Sequence, residues 1–218
     1  MDNMNRRSVY IPAEKLSLHQ NLNSWQLDNL GFRNSIETKI SDSLLALGCS
    51  FTAGVGLEVE ETWPHILGKR IGISAYNAGQ EGAGNYTAFR FARTLVPAYK
   101  PKAVFLLATF RARIEIITPF HNDNVPVTLN VSNIEQPEYG NFGHIIMDEH
   151  LLRLTKEKNI LAIEQICIDN DVPFYIIDID DLPPVAEVQP KARDGIHPGP
   201  EWQEDIANSF FEKYIENK

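Results

Sequence analysis

The sequence is poor in cysteine, in clustered positive charge and in long apolar runs, and each scarcity excludes a class of protein. Its 218 residues include two cysteines, Cys49 and Cys167, which form neither a disulfide framework nor a metal-binding spacing. The formal net charge is −9 and no basic block occurs, which argues against a nucleic-acid-binding protein. No apolar run approaches the roughly 18 residues of a membrane helix. We therefore expect a soluble globular protein that binds neither nucleic acid nor a membrane.

Strand-like and helix-like segments alternate along the chain. A near-continuous apolar run such as residues 103–108 is typical of a parallel strand that is covered on both faces. Strands that alternate with helices predict a parallel, doubly wound sheet with helices on both faces. The predicted strands are residues 44–47, 73–76, 103–108 and 174–179, and the predicted helices are residues 63–70, 86–99, 146–170 and 201–216.

The pattern predicts one domain, residues 41–218, preceded by an arm, residues 1–40, that lies against it. Residues 118–145 are rich in Pro, Asn and Gly, and we predict an irregular insertion there. A stretch of that length without regular structure is usually functional or mobile, so it is a candidate lid. Tyr139 and Phe142 could form part of that lid or a face that stacks on a sugar, and a plain surface loop also fits.

A serine follows the first predicted strand. The apolar run ends at Gly48, and Ser50 lies between that glycine and Gly54. Open α/β sheets place their ligand sites at this edge, where the strands end. Ser50 could act there as a nucleophile beside the outward N–H groups of the turn, or it could be a helix N-cap. Its neighbour Cys49 should face the interior as a buried thiol.

Asp194 and His197 lie three residues apart in a Gly/Pro loop after the last predicted strand. At that spacing a carboxylate can hold the imidazole Nδ1–H and leave Nε2 free as a base. A surface loop that caps the final helix is the alternative. Because the loops after successive strands gather along one edge of the sheet, this loop should meet the Ser50 turn, the Gly82 loop and the Arg111 segment.

These segments resemble the motifs of the SGNH (GDSL-like) hydrolase superfamily. Residues 48–54, Gly-Cys-Ser-Phe-Thr-Ala-Gly, resemble its first block, Gly-Asp-Ser-x-(Thr/Ser)-x-Gly. Residues 77–82 resemble its second block, with Gly82 in the position of the oxyanion glycine. Residues 194–198, Asp-Gly-Ile-His-Pro, resemble its last block, Asp-x-x-His-Pro. Residues 29–33, Asn-Leu-Gly-Phe-Arg, are similar to a lead-in motif of some bacterial and phage members.

The resemblance implies a flavodoxin-like three-layer α/β/α sandwich and the hydrolysis of an ester. It implies that Ser50 is the nucleophile, His197 the base and Asp194 the residue that orients the base. The N–H groups of Ser50 and Gly82 would bind the oxyanion, and Asn85 and Arg111 are further candidates for oxyanion or substrate binding. The expected substrate is a small ester, such as an O-acylated carbohydrate.

The same evidence predicts no cofactor and no metal. His121, His144 and His150 show no metal-ligand spacing with one another, and His65 is interpreted as a surface or packing residue of a helix. No apolar stretch follows the polar residues 1–7, so no secretory signal is evident. We therefore expect the protein in the cytoplasm or associated with a phage or other particle, and the sequence gives no oligomeric state.

The sequence departs from the superfamily pattern at two points. Cys49 replaces the Asp of the first block, and the third block, Gly-x-Asn-Asp, is absent. By position, Arg111 replaces the Asn that donates to the oxyanion. Its guanidinium could donate to an oxyanion, bind an anionic group of the substrate, or form a salt bridge with Glu81 or Glu115. Two alternatives therefore stay open, a binding or structural protein without hydrolysis and an acyltransferase that uses the same triad.

Overall fold

The computed structural model describes residues 27–117, 126–130 and 149–217. Within these ranges no helix is both long and apolar enough to cross a membrane. The strands are β1 (Leu44–Gly48), β2 (Ala75–Gly79), β3 (Ala103–Ala108), β4 (Arg113–Ile117), β5 (Pro126–Asn130) and β6 (Phe174–Asp178). The α-helices are α1 (Ser50–Ala53), α2 (Trp63–Ile71), α3 (Asn85–Tyr99), α4 (Glu149–Asp169) and α5 (Pro200–Glu216).

Four parallel strands form the central sheet in the order β2-β1-β3-β6. Leu44 of β1 lies opposite Ala75 of β2 on one side and Ala103 of β3 on the other. The chain first moves outward from β1 to β2 and then returns to place β3 on the other side of β1. The strand order therefore reverses between β1 and β3, the place where doubly wound sheets bind their ligands.

Alternate residues of the strands supply two separate cores, one on each face of the sheet. Leu45 and Leu47 of β1 pack with residues of α3 and α4, whereas Leu44 and Ala46 pack with residues of α2 and α5. All four side chains are at most 1% exposed. The predicted three-layer α/β/α sandwich with a parallel, doubly wound sheet is thus confirmed.

Strand β2 begins and ends later than predicted. Gly72 ends α2 in the left-handed conformation, with φ of 78°, and the strand starts at Ala75. It continues through Asn77 to Gly79, residues whose turn-forming character predicts a loop. Pairing with β1, as far as Gly48 opposite Gly79, overrides that local preference.

The described part of the predicted insertion contains regular structure, which corrects the prediction of an irregular segment. Strand β5 pairs antiparallel with β4, and Arg113 lies opposite Asn130. The predicted helix at 146–170 is α4, which begins at Glu149 in the described residues. The rest of 118–145, with Tyr139, Phe142 and the candidate lid, lies outside the described residues.

The described part of the predicted arm packs into the core. Phe32 is 3% exposed and lies edge-to-face with Tyr76 and Phe91, at ring-centroid distances of 5.8 and 5.0 Å. Residues 1–26 lie outside the described residues, and the predicted domain boundaries stay a prediction. This packing brings the next residue, Arg33, to the carboxyl edge of the sheet.

Candidate active site

Ser50 is the first residue of α1, directly beyond the end of β1. The N-cap of that helix is Cys49, and its side chain makes no capping hydrogen bond. The alternative interpretation of Ser50 as an N-cap is therefore wrong. Cys49 is fully buried among apolar side chains, as predicted. Ser50 itself is 3% exposed.

Gly48 lets α1 turn back closely over the end of β1. A Cβ atom at this position would lie 2.1 Å from Thr52 Oγ1 and 3.0 Å from the Leu107 carbonyl oxygen. Any side chain would push α1 away from the sheet. Gly48, the first glycine of the motif, thus determines how close α1 and its first residue, Ser50, lie to the end of β1.

Two buried amides hold the carbonyl groups of α1. Gln203 of α5 donates from Nε2 to the Phe51 carbonyl at 3.0 Å, and its Oε1 accepts from Trp63 N–H at 2.8 Å. Asn77 of β2 donates from Nδ2 to the Thr52 carbonyl at 2.7 Å. Residues from the first and last thirds of the described chain therefore fix the serine turn.

Arg33 holds the loop that follows α1. Its guanidinium donates to the carbonyls of Ala53 at 3.1 Å, Gly54 at 2.7 Å and Leu57 at 2.6 Å. The side chain is buried, and burial lowers its pKa to about 10 against the opposing effect of nearby glutamates. A motif outside the hydrolase blocks, the Gly-Phe-Arg of residues 31–33, thus has a structural role at the site.

The loop after β2 presents a free backbone donor. Gly82 has φ of +72°, a conformation that favours glycine. Among the described residues, neither the Gly82 N–H nor the Ser50 N–H donates a hydrogen bond to another backbone group. Two N–H groups that follow neighbouring strands thus have no backbone acceptor among the described residues.

Asp194 orients His197 as the spacing predicts. Its Oδ2 accepts from the imidazole Nδ1, and its Oδ1 accepts from the N–H groups of Ile196 and His197, each at 3.0 Å. Partial burial tends to raise the Asp194 pKa, but these hydrogen bonds outweigh burial and hold that pKa below its usual value. In the described part of the chain, no hydrogen bond occupies His197 Nε2.

The imidazole of His197 packs against Phe51, the residue that follows Ser50. The rings of Phe51 and His197 lie edge-to-face, with centroids 5.6 Å apart, and Phe51 makes similar contacts with Phe110 and Trp202. No hydrogen bond joins Ser50 Oγ to His197 in the described structure. Nucleophile–base contacts of this kind commonly tighten only when substrate binds.

Arg193 anchors the histidine loop to the loop after α1. Its N–H donates to the Gly56 carbonyl at 3.1 Å, and its guanidinium pairs with both carboxylate oxygens of Glu61, at 2.5 and 2.8 Å. The hydrogen bond from Arg193 is the main cause that lowers the Glu61 pKa. An ion pair between Arg193 and Glu61 therefore helps to hold the loop that carries the proposed base.

Arg111 lies beside two carboxylates, and its predicted role in oxyanion or substrate binding stays a prediction. Its guanidinium lies 3.0 Å from Glu149 Oε1 and 3.7 Å from Asp180 Oδ2. Asp180 also accepts from the buried Lys156 at 2.8 Å. The alternative that Arg111 forms a salt bridge is met in the structure, where its partners are Glu149 and Asp180. The residue ties the loop after β3 to the start of α4.

Asn85 forms two hydrogen bonds with the residue that follows β3. Its Nδ2 donates to the Thr109 carbonyl at 2.9 Å, and its Oδ1 accepts from Thr109 N–H at 3.0 Å. The side chain is 3% exposed. This amide joins the start of α3 to the end of β3, and its predicted role in binding stays a prediction.

The sequence interpretation missed three polar residues at the site, Asn77, Gln203 and Arg113. Gln203 carried a usable signal, since it is a polar residue on the buried face of the amphipathic helix α5. Asn77 and Arg113 carried none, because their partners are backbone groups of other loops.

Comparison with solved structures supports the fold. The structure of TesA covers 76% of this chain and 94% of its own, at 19% sequence identity and a TM-score of 0.50. The psychrotrophic esterase EstA from Pseudoalteromonas sp. covers 80% of this chain and 99% of its own, at 16% identity and a TM-score of 0.39. The acetyl xylan esterase Est2A from the rumen bacterium Butyrivibrio proteoclasticus covers 84% and 66%, at 13% identity and a TM-score of 0.44. No protein-family model matches the sequence, and no curated protein is significantly similar to it.

At these identities the likeness concerns the fold and not the activity. The chain shares its α/β/α fold with TesA, in agreement with the fold that the motifs predicted. What the chain does at the carboxyl edge of its sheet depends on the residues described above.

Proposed function

We propose that the protein is a serine ester hydrolase that uses Ser50, His197 and Asp194. The observation that carries the proposal is the arrangement of His197. Asp194 holds its Nδ1, its Nε2 is left for the proton of the Ser50 hydroxyl, and its ring packs on Phe51. Phe51 directly follows Ser50, which lies at the switch point of the sheet.

In this mechanism, Ser50 Oγ attacks the ester carbonyl carbon while His197 Nε2 takes the hydroxyl proton. Asp194 stabilises the imidazolium that forms. The tetrahedral intermediate collapses, the carbon–oxygen bond to the alcohol breaks, and the alcohol leaves with the proton from Nε2. Water then attacks the acyl-Ser50 ester by the same route and releases the carboxylic acid and free Ser50.

The N–H groups of Ser50 and Gly82 would stabilise the tetrahedral oxyanion. Removal of one such donor typically slows an enzyme by about 10²–10³-fold. The superfamily's third donor, the Asn of the absent block, has no equivalent at Arg111, whose charge is compensated by Glu149 and Asp180.

We propose a short acyl group for the substrate. Ser50 is 3% exposed and the adjacent Phe51 is 6% exposed, so we infer that access to the hydroxyl is narrow. An acetyl group on an alcohol, such as an O-acetylated carbohydrate, fits that access better than a long acyl chain does.

The first test compares hydrolysis of p-nitrophenyl acetate by the wild type, Ser50→Ala and Ser41→Ala. We expect turnover in the wild type, none above background in Ser50→Ala, and no change in Ser41→Ala, because Ser41 is exposed and outside the site. A Cys49→Ala variant should stay active, since Cys49 is buried in the core. Equal rates in the wild type and Ser50→Ala would refute the proposal.

Two further outcomes would identify the alternatives. Acetyl transfer to an added sugar in preference to water would indicate an acyltransferase, which uses the same triad. A folded wild-type protein with no turnover would favour a binding protein, the function to which the absent third block and the lack of a Ser50–His197 hydrogen bond point.

A further inference from the structure

Arg113 lies between the loop after β2 and the loop after β3. Its Nη1 donates to the Ala83 carbonyl at 3.1 Å and to Thr109 Oγ1 at 3.3 Å. The two loops approach closely here, since a Cβ atom at Gly84 would lie 3.0 Å from the Arg113 carbonyl oxygen. The guanidinium thus fastens the segment that begins at Gly82.

Arg113 differs from Arg111 in the partners of its charge. Arg111 pairs with two carboxylates. Among the described residues, no carboxylate lies within ion-pair distance of Arg113, whose guanidinium contacts a carbonyl, a hydroxyl and the ring of Phe110. The centre of that ring is 5.5 Å from the guanidinium carbon. Its positive charge is therefore not compensated by an ion pair in the described structure.

A series of aromatic contacts connects Arg113 with the proposed base. Phe110 lies edge-to-face with Phe51 at 6.0 Å, and Phe51 lies edge-to-face with His197 at 5.6 Å. Arg113 consequently contacts both the Gly82 loop and the row of rings under the imidazole.

We propose that Arg113 is a positioning residue of the oxyanion hole, which holds the loop that carries the Gly82 N–H and supplies a positive charge to that side of the site. This inference rests on the proposed esterase function. A donor fixed before the reaction needs no reorganisation when charge develops on the substrate. Arg113 thus supports the oxyanion hole in place of the absent third block, and it does so from a different position in the chain.

The test compares Arg113→Met, Arg113→Lys and the control Arg153→Met, each with its melting temperature. In Arg113→Met we expect kcat for p-nitrophenyl acetate to fall by about 10–100-fold, less than the loss of a direct donor, with KM changed by less than about threefold. Lysine keeps the charge and one donor group, so Arg113→Lys should retain kcat within about fivefold. Arg153 is an exposed residue of α4, so Arg153→Met should change kcat by less than about threefold.

A second readout does not depend on activity. Amide hydrogen exchange in residues 80–84 should be faster in folded Arg113→Met than in the wild type, and unchanged in Arg153→Met. Faster exchange in Arg113→Met, together with a wild type that hydrolyses no ester, would support the positioning role and refute the proposed function. In an active enzyme, an unchanged kcat in Arg113→Met, or equal losses in Arg113→Met and Arg153→Met, would overturn this inference alone. Unchanged exchange together with an inactive wild type would overturn both.

Discussion

The turn that carries Ser50 and the loop that carries His197 meet at one edge of the sheet, but different forces hold them. Around Ser50 the contacts are buried and made mostly by neutral groups, such as the amides of Asn77 and Gln203. Around His197 the contacts are partly exposed and made by charged groups, namely Asp194, Arg193 and Glu61.

Because of this difference, we expect substitutions in one region to affect mainly stability and substitutions in the other to affect mainly activity. Buried amides that lose a partner leave unsatisfied polar groups, which cost free energy of unfolding. Partly exposed ion pairs contribute little to that free energy because solvent screens them. We therefore expect changes around the serine turn to unfold the protein and changes in the histidine loop to affect catalysis with the fold intact.

The largest expected effect comes from His197→Ala and Asp194→Asn. Each should lower kcat by about 10⁴-fold, because the base is lost or held in the wrong tautomer. The melting temperature should change by less than about 5 °C, since the loop lies at the surface. Steady-state kinetics and thermal unfolding provide the two measurements.

His150→Ala is the control, because His150 is an exposed residue of α4 and should leave kcat unchanged. An Asp194→Asn variant with wild-type kcat would show that the carboxylate does not orient the base.

The second prediction concerns Gln203→Met, which has a similar shape and lacks the amide. It leaves the Phe51 carbonyl and the Trp63 N–H unsatisfied in the core, and we expect a loss of about 2–4 kcal/mol of unfolding free energy. For a protein of this size that lowers the melting temperature by about 5–15 °C.

The matched control is Gln165→Met on the exposed face of α4, with an expected change within about 0.5 kcal/mol. Equal melting temperatures for the two variants would remove the contrast between the buried and exposed regions.

The smallest expected effect comes from Arg193→Gln, which breaks the ion pair with Glu61. Hydrogen bonding to Arg193 lowers the folded-state pKa of Glu61, so the pair stabilises the fold above the unfolded pKa of a glutamate. That contribution is lost as the pH falls through the lowered folded-state pKa.

Arg193→Gln should therefore lower the unfolding free energy by at most about 1 kcal/mol at pH 7. The difference from the wild type should shrink in 1 M salt and should also shrink as the pH falls below the usual pKa of a glutamate, as urea unfolding can measure. A difference that persists at low pH would show that Arg193 acts by packing rather than by charge.

The sequence predicted the parts of the fold that depend on local apolar pattern. Strands β1 and β3 are buried on both faces, so their uninterrupted apolar runs place them within about one residue. Strand β2 was displaced because Asn77 and Gly79 favour turns locally, and pairing with β1 decides their conformation. The strand at 126–130 was missed because its pairing with β4 is a non-local contact.

At the site, short motifs predicted short-range geometry. The Asp194–His197 contact spans three residues and follows from the motif. The roles of Arg111 and Arg113 did not, because these neighbours differ only in which distant groups meet them, Asp180 for one and the Ala83 carbonyl for the other. Such partners belong to other loops and leave no mark in the local sequence.

The most direct test of the central claim is covalent labelling by a fluorophosphonate, followed by peptide mapping by mass spectrometry. The reagent reports a serine hydroxyl that is activated by a base, whatever the natural ester is. We predict one label per chain, on Ser50, with none in Ser50→Ala and a strongly slowed reaction in His197→Ala. A folded wild-type protein that stays unlabelled, or that is labelled equally fast without His197, would contradict the account.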